Sequence, residues 1–269
     1  PAAVTPPRDP RMVWGLALAA ISALLLIASV VSPYDSADPS VDLLEQSSWF
    51  WTLAIAGVVI AVCGVVLARG GHGVPLGILF AMATYATLFY LSFSRSIWTE
   101  QMLLYVGSPS FGIFAGVGGG LAGLAAGACF WKPTARSEGD AAFGVVPMLL
   151  AASGAGLFLL AALVIPIKPY GQSGSLAVHW STEPLHRVGM ALLVIAAATA
   201  MRRPGRRGLC SGLLVGLGLV GLAGWWGFGE YMFESQGARG PAVLTGLAAS
   251  LLILVAGLLT IRAKQAATL

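Results

Sequence analysis

Eight apolar runs divide this chain, and between their flanks none holds an Asp, Glu, His, Lys or Arg. They cover about 12–31, 49–68, 74–93, 106–131, 143–167, 187–201, 209–228 and 242–261. A helix crosses roughly 30 Å of hydrocarbon in about 20 apolar residues, so these runs have the length of membrane spans. Lipid cannot hydrogen-bond the backbone, which restricts spanning segments to helices and closed barrels. The ten-residue alternation of a barrel is absent. The expected fold is therefore an all-α polytopic membrane protein. The sixth run is the shortest, and its helix is expected to begin further back, near Pro184.

Composition narrows the class without naming an activity. Charged residues make up only 10% of 269 positions, too few to cover a water-soluble surface. That excludes a soluble enzyme and a disordered chain. The net charge of +4 does not imply nucleic acid, because the basic residues flank spans instead of forming one face. The cysteines, Cys63, Cys129 and Cys210, are unpaired in spacing and fall in or beside apolar runs, where a thiol acts as a small hydrophobe.

Sidedness follows from charge. With the N-terminus inside, eleven basic residues fall on the inner side, among them Arg8, Arg11, Arg69, Lys132, Arg202 and Arg262. Four fall outside: Arg95, Lys168, Arg187 and Arg239. By the positive-inside rule both termini are expected in the cytoplasm. The preponderance of Arg over Lys suits a GC-rich bacterial genome, and the expected location is the bacterial cytoplasmic membrane. The first run is longer than a signal-peptide core and reads as a retained span. Residues 1–11 form a Pro-rich tail, and the leading Pro is what removal of an initiator Met would leave.

Matching punctuation suggests two tandem four-helix repeats, 12–131 and 143–262, joined by a linker at 132–142 and followed by a tail at 263–269. Pro33-Tyr34 is echoed by Pro169-Tyr170, Gly70 and Gly73 by Gly205 and Gly208, and Ala126-Gly127 by Ala256-Gly257. Four spans per unit give both copies one orientation, a parallel repeat about an axis along the membrane normal.

Rows of glycine mark close helix packing. Gly112, Gly116 and Gly120, then Gly119, Gly123 and Gly127, run at four-residue spacing in the fourth span, and Gly208, Gly212 and Gly216 in the seventh. Bare backbone lets helices approach, so dispersion contacts accumulate where lipid offers no hydrophobic drive. Such rows serve the bundle itself or a partner subunit.

The charge-free spans argue against ion-driven transport, voltage sensing and haem or retinal binding, with His72, His179 and His186 expected outside the core. The outer face is acidic and aromatic. Trp49, Trp98, Trp180, Trp225 and Trp226, with Glu230 and Glu234, are its candidate ligand or partner contacts. A short helix capped by Ser40 is expected over 40–48. His179, Glu183 and His186 stand at i, i+4, i+7 and have the donor types of a metal site, although Pro184 argues for a helix starting beyond His179. No catalytic residue and no cofactor is assigned, since GxSxG, Walker A, dinucleotide-turn and paired-Cys motifs are all missing. Three functions remain. The first is a non-catalytic subunit of a larger membrane complex, with lipids and other membrane subunits as partners. The second is a carrier or binding protein for a small, quinone-like or lipid molecule in a cleft between the repeats. The third is a metal-dependent enzyme at the outer face.

Overall fold

A computed structural model describes residues 9–33, 51–104, 110–131, 145–167, 174–175, 183–203, 205–236 and 240–266, with backbone alone at 95–104, 166–167, 174–175, 183–185, 228–236 and 263–266. Among the described residues there are eight helices: α1 (Pro10–Val30), α2 (Trp51–Ala68), α3 (Val74–Leu104), α4 (Phe111–Phe130), α5 (Val145–Leu163), α6 (Glu183–Ala200), α7 (Arg207–Gln236) and α8 (Pro241–Ala266). Pro166–Ile167 and Gly174–Ser175 form a minimal antiparallel pair between α5 and α6. Seven helices are long and apolar enough to cross a membrane. In α6 the apolar stretch is shorter, His186–Ala200. Large apolar side chains face outward all along the bundle, Leu24 and Phe114 among them, as a lipid-facing surface requires.

Helix ends depart from the apolar runs where local chemistry outweighs hydropathy. The first helix starts at Pro10, inside the stretch expected to be a tail. Asp9 is its N-cap, accepting a hydrogen bond from the Arg11 amide at 3.0 Å, and Pro10 takes the first turn, where its missing N–H costs nothing. The third and seventh helices were expected to stop near Phe93 and Phe228 but continue to Leu104 and Gln236. Neither extension contains a proline, and residues 94–104 contain no glycine, so nothing in them ends a helix when the apolar run does. With 31 residues, α3 is about 46 Å long, well beyond the hydrocarbon layer. The sixth helix begins at Glu183, one residue before Pro184.

The end of the bundle where α1 begins is the proximal face, and the opposite end the distal face. In the first half α1 packs on α4 and α2, and α3 packs on α4 and α2. In the second half α5 packs on α8 and α6, and α7 packs on α8 and α6. The halves meet chiefly where α3 crosses α7. The crossing is built on bare backbone. A Cβ on Gly73 would lie 3.1 Å from the Gly208 Cα, and one on Gly208 3.2 Å from the Gly73 Cα. Gly77 faces the Leu209 carbonyl, while Gly212 faces the Val74 carbonyl. Gly70 and Gly205, with φ of 96° and 80°, make the left-handed turns that precede α3 and α7.

Every glycine of the three rows lies against a neighbouring helix or chain segment of the same protein. Gly112 meets the carbonyls of Ser32 and Pro33, Gly116 the Tyr90 ring, Gly119 Leu26, Gly120 Thr87, Gly123 Ala83 and Ser22, and Gly127 Phe80. Gly216 meets Ala81 and Ile78. The α4 rows are thus met chiefly by α1 and α3, and the α7 row by α3 and the turn before it.

Candidate functional site

Among the buried polar side chains, His186 and Arg187 stand at the distal end of α6, the helix that adjoins both α3 and α7. Pro184 sits in the first turn of α6, where a proline is tolerated. One turn later the chain turns His186 and Arg187 inward, with only 7% and 6% of their surfaces exposed. This corrects two expectations, that every histidine stays outside the core and that Arg187, at the outer edge of the sixth run, only flanks the span. Arg187 is the one buried charged side chain among the described residues. Its guanidinium carbon lies 3.9 Å from the centre of the Trp225 ring. A cation over an indole face gains about 0.5–1 kcal/mol where exposed and about 2 kcal/mol when desolvated, so the ring offsets much of the cost of a charge at the edge of the apolar layer.

Trp225 was expected on the outer surface with Trp226. It is fully buried, while Trp226 is half exposed. The indole packs edge-on to Phe158 of α5 at 5.8 Å between centroids, and Gly246 of α8 gives it room. On the other side His186 meets the edge of Phe89 at 6.0 Å. Phe89 in turn contacts Tyr85, Tyr90 and Phe93, stacking on the last at 5.9 Å. Close approach of α6 to α3 is allowed by Gly189, whose missing Cβ would lie 2.8 Å from Leu88. Guanidinium, imidazole and six aromatic rings therefore form two groups, Arg187 with Trp225 and Phe158, and His186 with Phe89, Tyr85, Tyr90 and Phe93, which meet at the neighbouring residues His186 and Arg187.

The rings of α3 are tied to α1 by a hydrogen bond. Tyr90 is fully buried, and its hydroxyl shares a hydrogen bond of 2.6 Å with Ser29 of α1, which also bonds the Leu26 carbonyl. A net hydrogen bond contributes about 1 kcal/mol, and an orphaned buried hydroxyl costs about 1–3 kcal/mol. Tyr90→Phe and Ser29→Ala should each lower stability by about 1–2 kcal/mol, and the double variant by less than their sum. Thermal unfolding of the purified protein in detergent checks the cycle, and strict additivity would show that the bond carries no coupling.

Other candidate residues fall outside what is described. His179, Trp180 and Trp49, with the helix expected over 40–48 and the linker 132–142, lie outside the described residues, as do the side chains of Glu183, Trp98, Glu230 and Glu234. The metal triad is thus represented only by His186, which faces Phe89. No group of three metal-ligating side chains occurs among the described residues.

The sequence did carry a signal for the buried pair. Met190, Ala191, Val194, Ala197 and Ala198 form the inward face of α6. Extending that face back by one turn reaches His186 and Arg187.

These features define a polytopic helical membrane protein. Comparison with family models, with curated proteins and with solved structures gave no match.

Proposed function

We propose that this chain is a duplicated membrane protein that binds or carries a small amphiphile, received at the distal face between its two halves. The buried Arg187–Trp225–Phe89–His186 cluster carries this reading. An ionisable group held inside a membrane bundle is costly and marks a ligand or transport path by default. The interface between repeats is also where membrane carriers place their sites.

The duplication rests on burial. The inward residues of α1 (Gly15, Ala19, Ser22, Leu26, Ser29) recur in α5 at a constant spacing as Pro147, Ala151, Gly154, Phe158 and Ala161. In α2, Leu53, Ala56, Gly57, Ile60 and Cys63 correspond to Arg187, Met190, Ala191, Val194 and Ala197 of α6. In α4, Gly112, Gly116, Gly119, Gly123 and Gly127 correspond to Ala242, Gly246, Ala249, Ile253 and Gly257 of α8. Tyr90 then corresponds to Trp225, and each ring packs on the equivalent glycine, Gly116 or Gly246. The α3–α7 contact has the reciprocity of a two-fold interface: Gly77 meets Leu209 as Gly212 meets Val74. The positive-inside count supports a cytoplasmic proximal face.

Extraction of the protein into lipid nanodiscs, followed by mass analysis of retained amphiphiles, tests the reading. A species enriched to near one per chain is expected. A retained pool identical to the bulk membrane would overturn it.

A second reading, the non-catalytic subunit of a larger complex, is favoured by one observation. In sequence the apolar runs of α3 and α7 give way to Arg95 and Glu230, but both helices continue, to Leu104 and Gln236. Two adjoining helices that outrun the membrane on its distal side offer a platform for a soluble domain. Purification in a mild detergent should then retain a second protein in fixed ratio, and a protein that purifies alone would remove this reading.

A further inference from the structure

We infer that the turn joining α6 to α7 docks an anionic phospholipid of the leaflet on the proximal side, its phosphate held by Arg202, Arg203 and Arg206 and its chains laid along α5 and α6. This is independent of any ligand between the halves.

Four of the chain's twelve arginines fall within the six residues 202–207. Arg202, Arg203 and Arg206 are exposed, and Arg207 is half-buried. The Arg206 amide donates to the Arg203 carbonyl at 3.3 Å, and the Arg203 amide to the Ala200 carbonyl at 3.0 Å. A turn closed in this way holds its end Cα atoms within about 7 Å, so the guanidinium groups of Arg203 and Arg206 can reach one phosphate. Arg202 is tied to the neighbouring helix, its Nε donating to the Met148 sulfur of α5 at 3.3 Å. Exposed guanidinium groups this close add little packing and repel one another, and the positive end of the α7 dipole adds to the repulsion. The first turn of α7 contains no acidic residue. Asp9, the one acidic side chain among the described residues, caps α1 instead. The linker 132–142 brings Glu138 and Asp140 but also Lys132 and Arg136, and so supplies no net negative charge. Sidedness does not demand the density either. The turn between α2 and α3, at the same end of the bundle, carries Arg69 and His72 alone. An anion from outside the chain is what the α6–α7 turn lacks.

The surroundings select a lipid over a soluble anion. The turn follows directly on the apolar stretch of α6, which ends at Ala200, and so stands at the level of the headgroups. Ile195 and Thr199, seven and three residues before Arg202, are exposed on the same face of α6. On α5, Val145 and Leu149, either side of Met148, are also exposed. A phosphate at the turn therefore leaves its acyl chains against the apolar outer wall of two packed helices. Arginine clusters placed just beyond a span attract acidic headgroups. A zwitterionic headgroup brings a cation with its phosphate, which the three arginines repel.

Native mass spectrometry of the intact, delipidated protein tests this, with phosphatidylglycerol, phosphatidylcholine and inorganic phosphate as separate probes. Phosphatidylglycerol should bind about ten-fold more tightly than phosphatidylcholine. Arg202→Gln, Arg203→Gln and Arg206→Gln combined should abolish that preference and melt near the parent. Eight basic residues then remain on this side against four on the other, so insertion keeps its sense. The same three positions changed to Lys should keep most of the preference, and Arg69→Gln with His72→Gln should keep all of it. Should the triple Gln variant fail to fold, Arg203→Gln and Arg206→Gln carry the test singly, each expected to lose about three-fold in phosphatidylglycerol binding. Equal binding of the two lipids, a folded triple Gln variant with unchanged preference, or an equal loss from the Arg69→Gln, His72→Gln pair would each overturn the inference. Inorganic phosphate displacing phosphatidylglycerol at equal concentration would overturn it too, leaving a site for a free anion.

Discussion

Gly212→Leu should leave no folded protein in detergent. A Cβ at this position would lie against the Val74 carbonyl, with the carbonyl carbon only 2.8 Å away. Overpacking a core usually costs about 1–3 kcal/mol when side chains can shift. Here the obstacle is the backbone of α3, at the crossing that joins the halves. The side chain can be accommodated only by separating α3 from α7, which forfeits the contacts along both helices. A loss above about 3 kcal/mol is expected, seen as disappearance of the monodisperse peak in size-exclusion chromatography. Gly156→Ala is the control. Gly156 lies on an exposed face of α5 with nothing within 4 Å of the added carbon, and the change should be neutral or stabilise by up to about 1 kcal/mol. A well-folded Gly212→Leu protein would show that α3 and α7 do not meet as described.

The second large effect is at the paired tryptophans. Trp225→Ala should cost about 3–5 kcal/mol, while Trp226→Ala should change stability by less than about 0.5 kcal/mol. The first indole is fully buried among Phe158, Gly246 and the Arg187 guanidinium; the second is half exposed. Removing Trp225 opens a large void and strips a buried cation of its ring. Trp225→Tyr, which installs the residue of the matching position in the first half, should recover most of the loss. Melting temperatures of the three variants decide the matter, and equal effects at 225 and 226 would contradict the described burial.

The apolar helices were legible in the sequence because membrane burial acts on runs of residues, although eight spans were expected and seven helices are long and apolar enough to cross. The glycine rows were legible as packing faces for the same reason, although which helix fills each row was not. Helix ends were less legible where hydropathy was the guide. Asp9-Pro10 carried a start signal masked by the Pro-rich stretch before it. The tail of α3 is polar and yet helical because no residue in it stops a helix. The site was the least legible part. Arg187 and His186 sit at the edge of an apolar run, where a cation is ordinarily a flanking residue, and only the inward face of α6 places them inside. Trp225 and Trp226 are neighbours of one residue type, so composition cannot separate a buried anchor from an interfacial ring; the helical phase set by Gly221 and Val220 does.

The reciprocal contact between Gly73 and Gly208 has a consequence for how this protein could change. In a symmetric pair of separate chains, each substitution strikes both sides of such an interface at once, so a charge gained on one side is gained on the other. Two like charges facing a shared axis inside a membrane would repel, and neither copy could be spared. Joining the halves in one chain removes that constraint. One side can keep leucine and a sealed tyrosine, holding the bundle together, while the other takes on an arginine. An arginine in one half where the other has leucine is an arrangement open to a fused pair and closed to a dimer of identical halves.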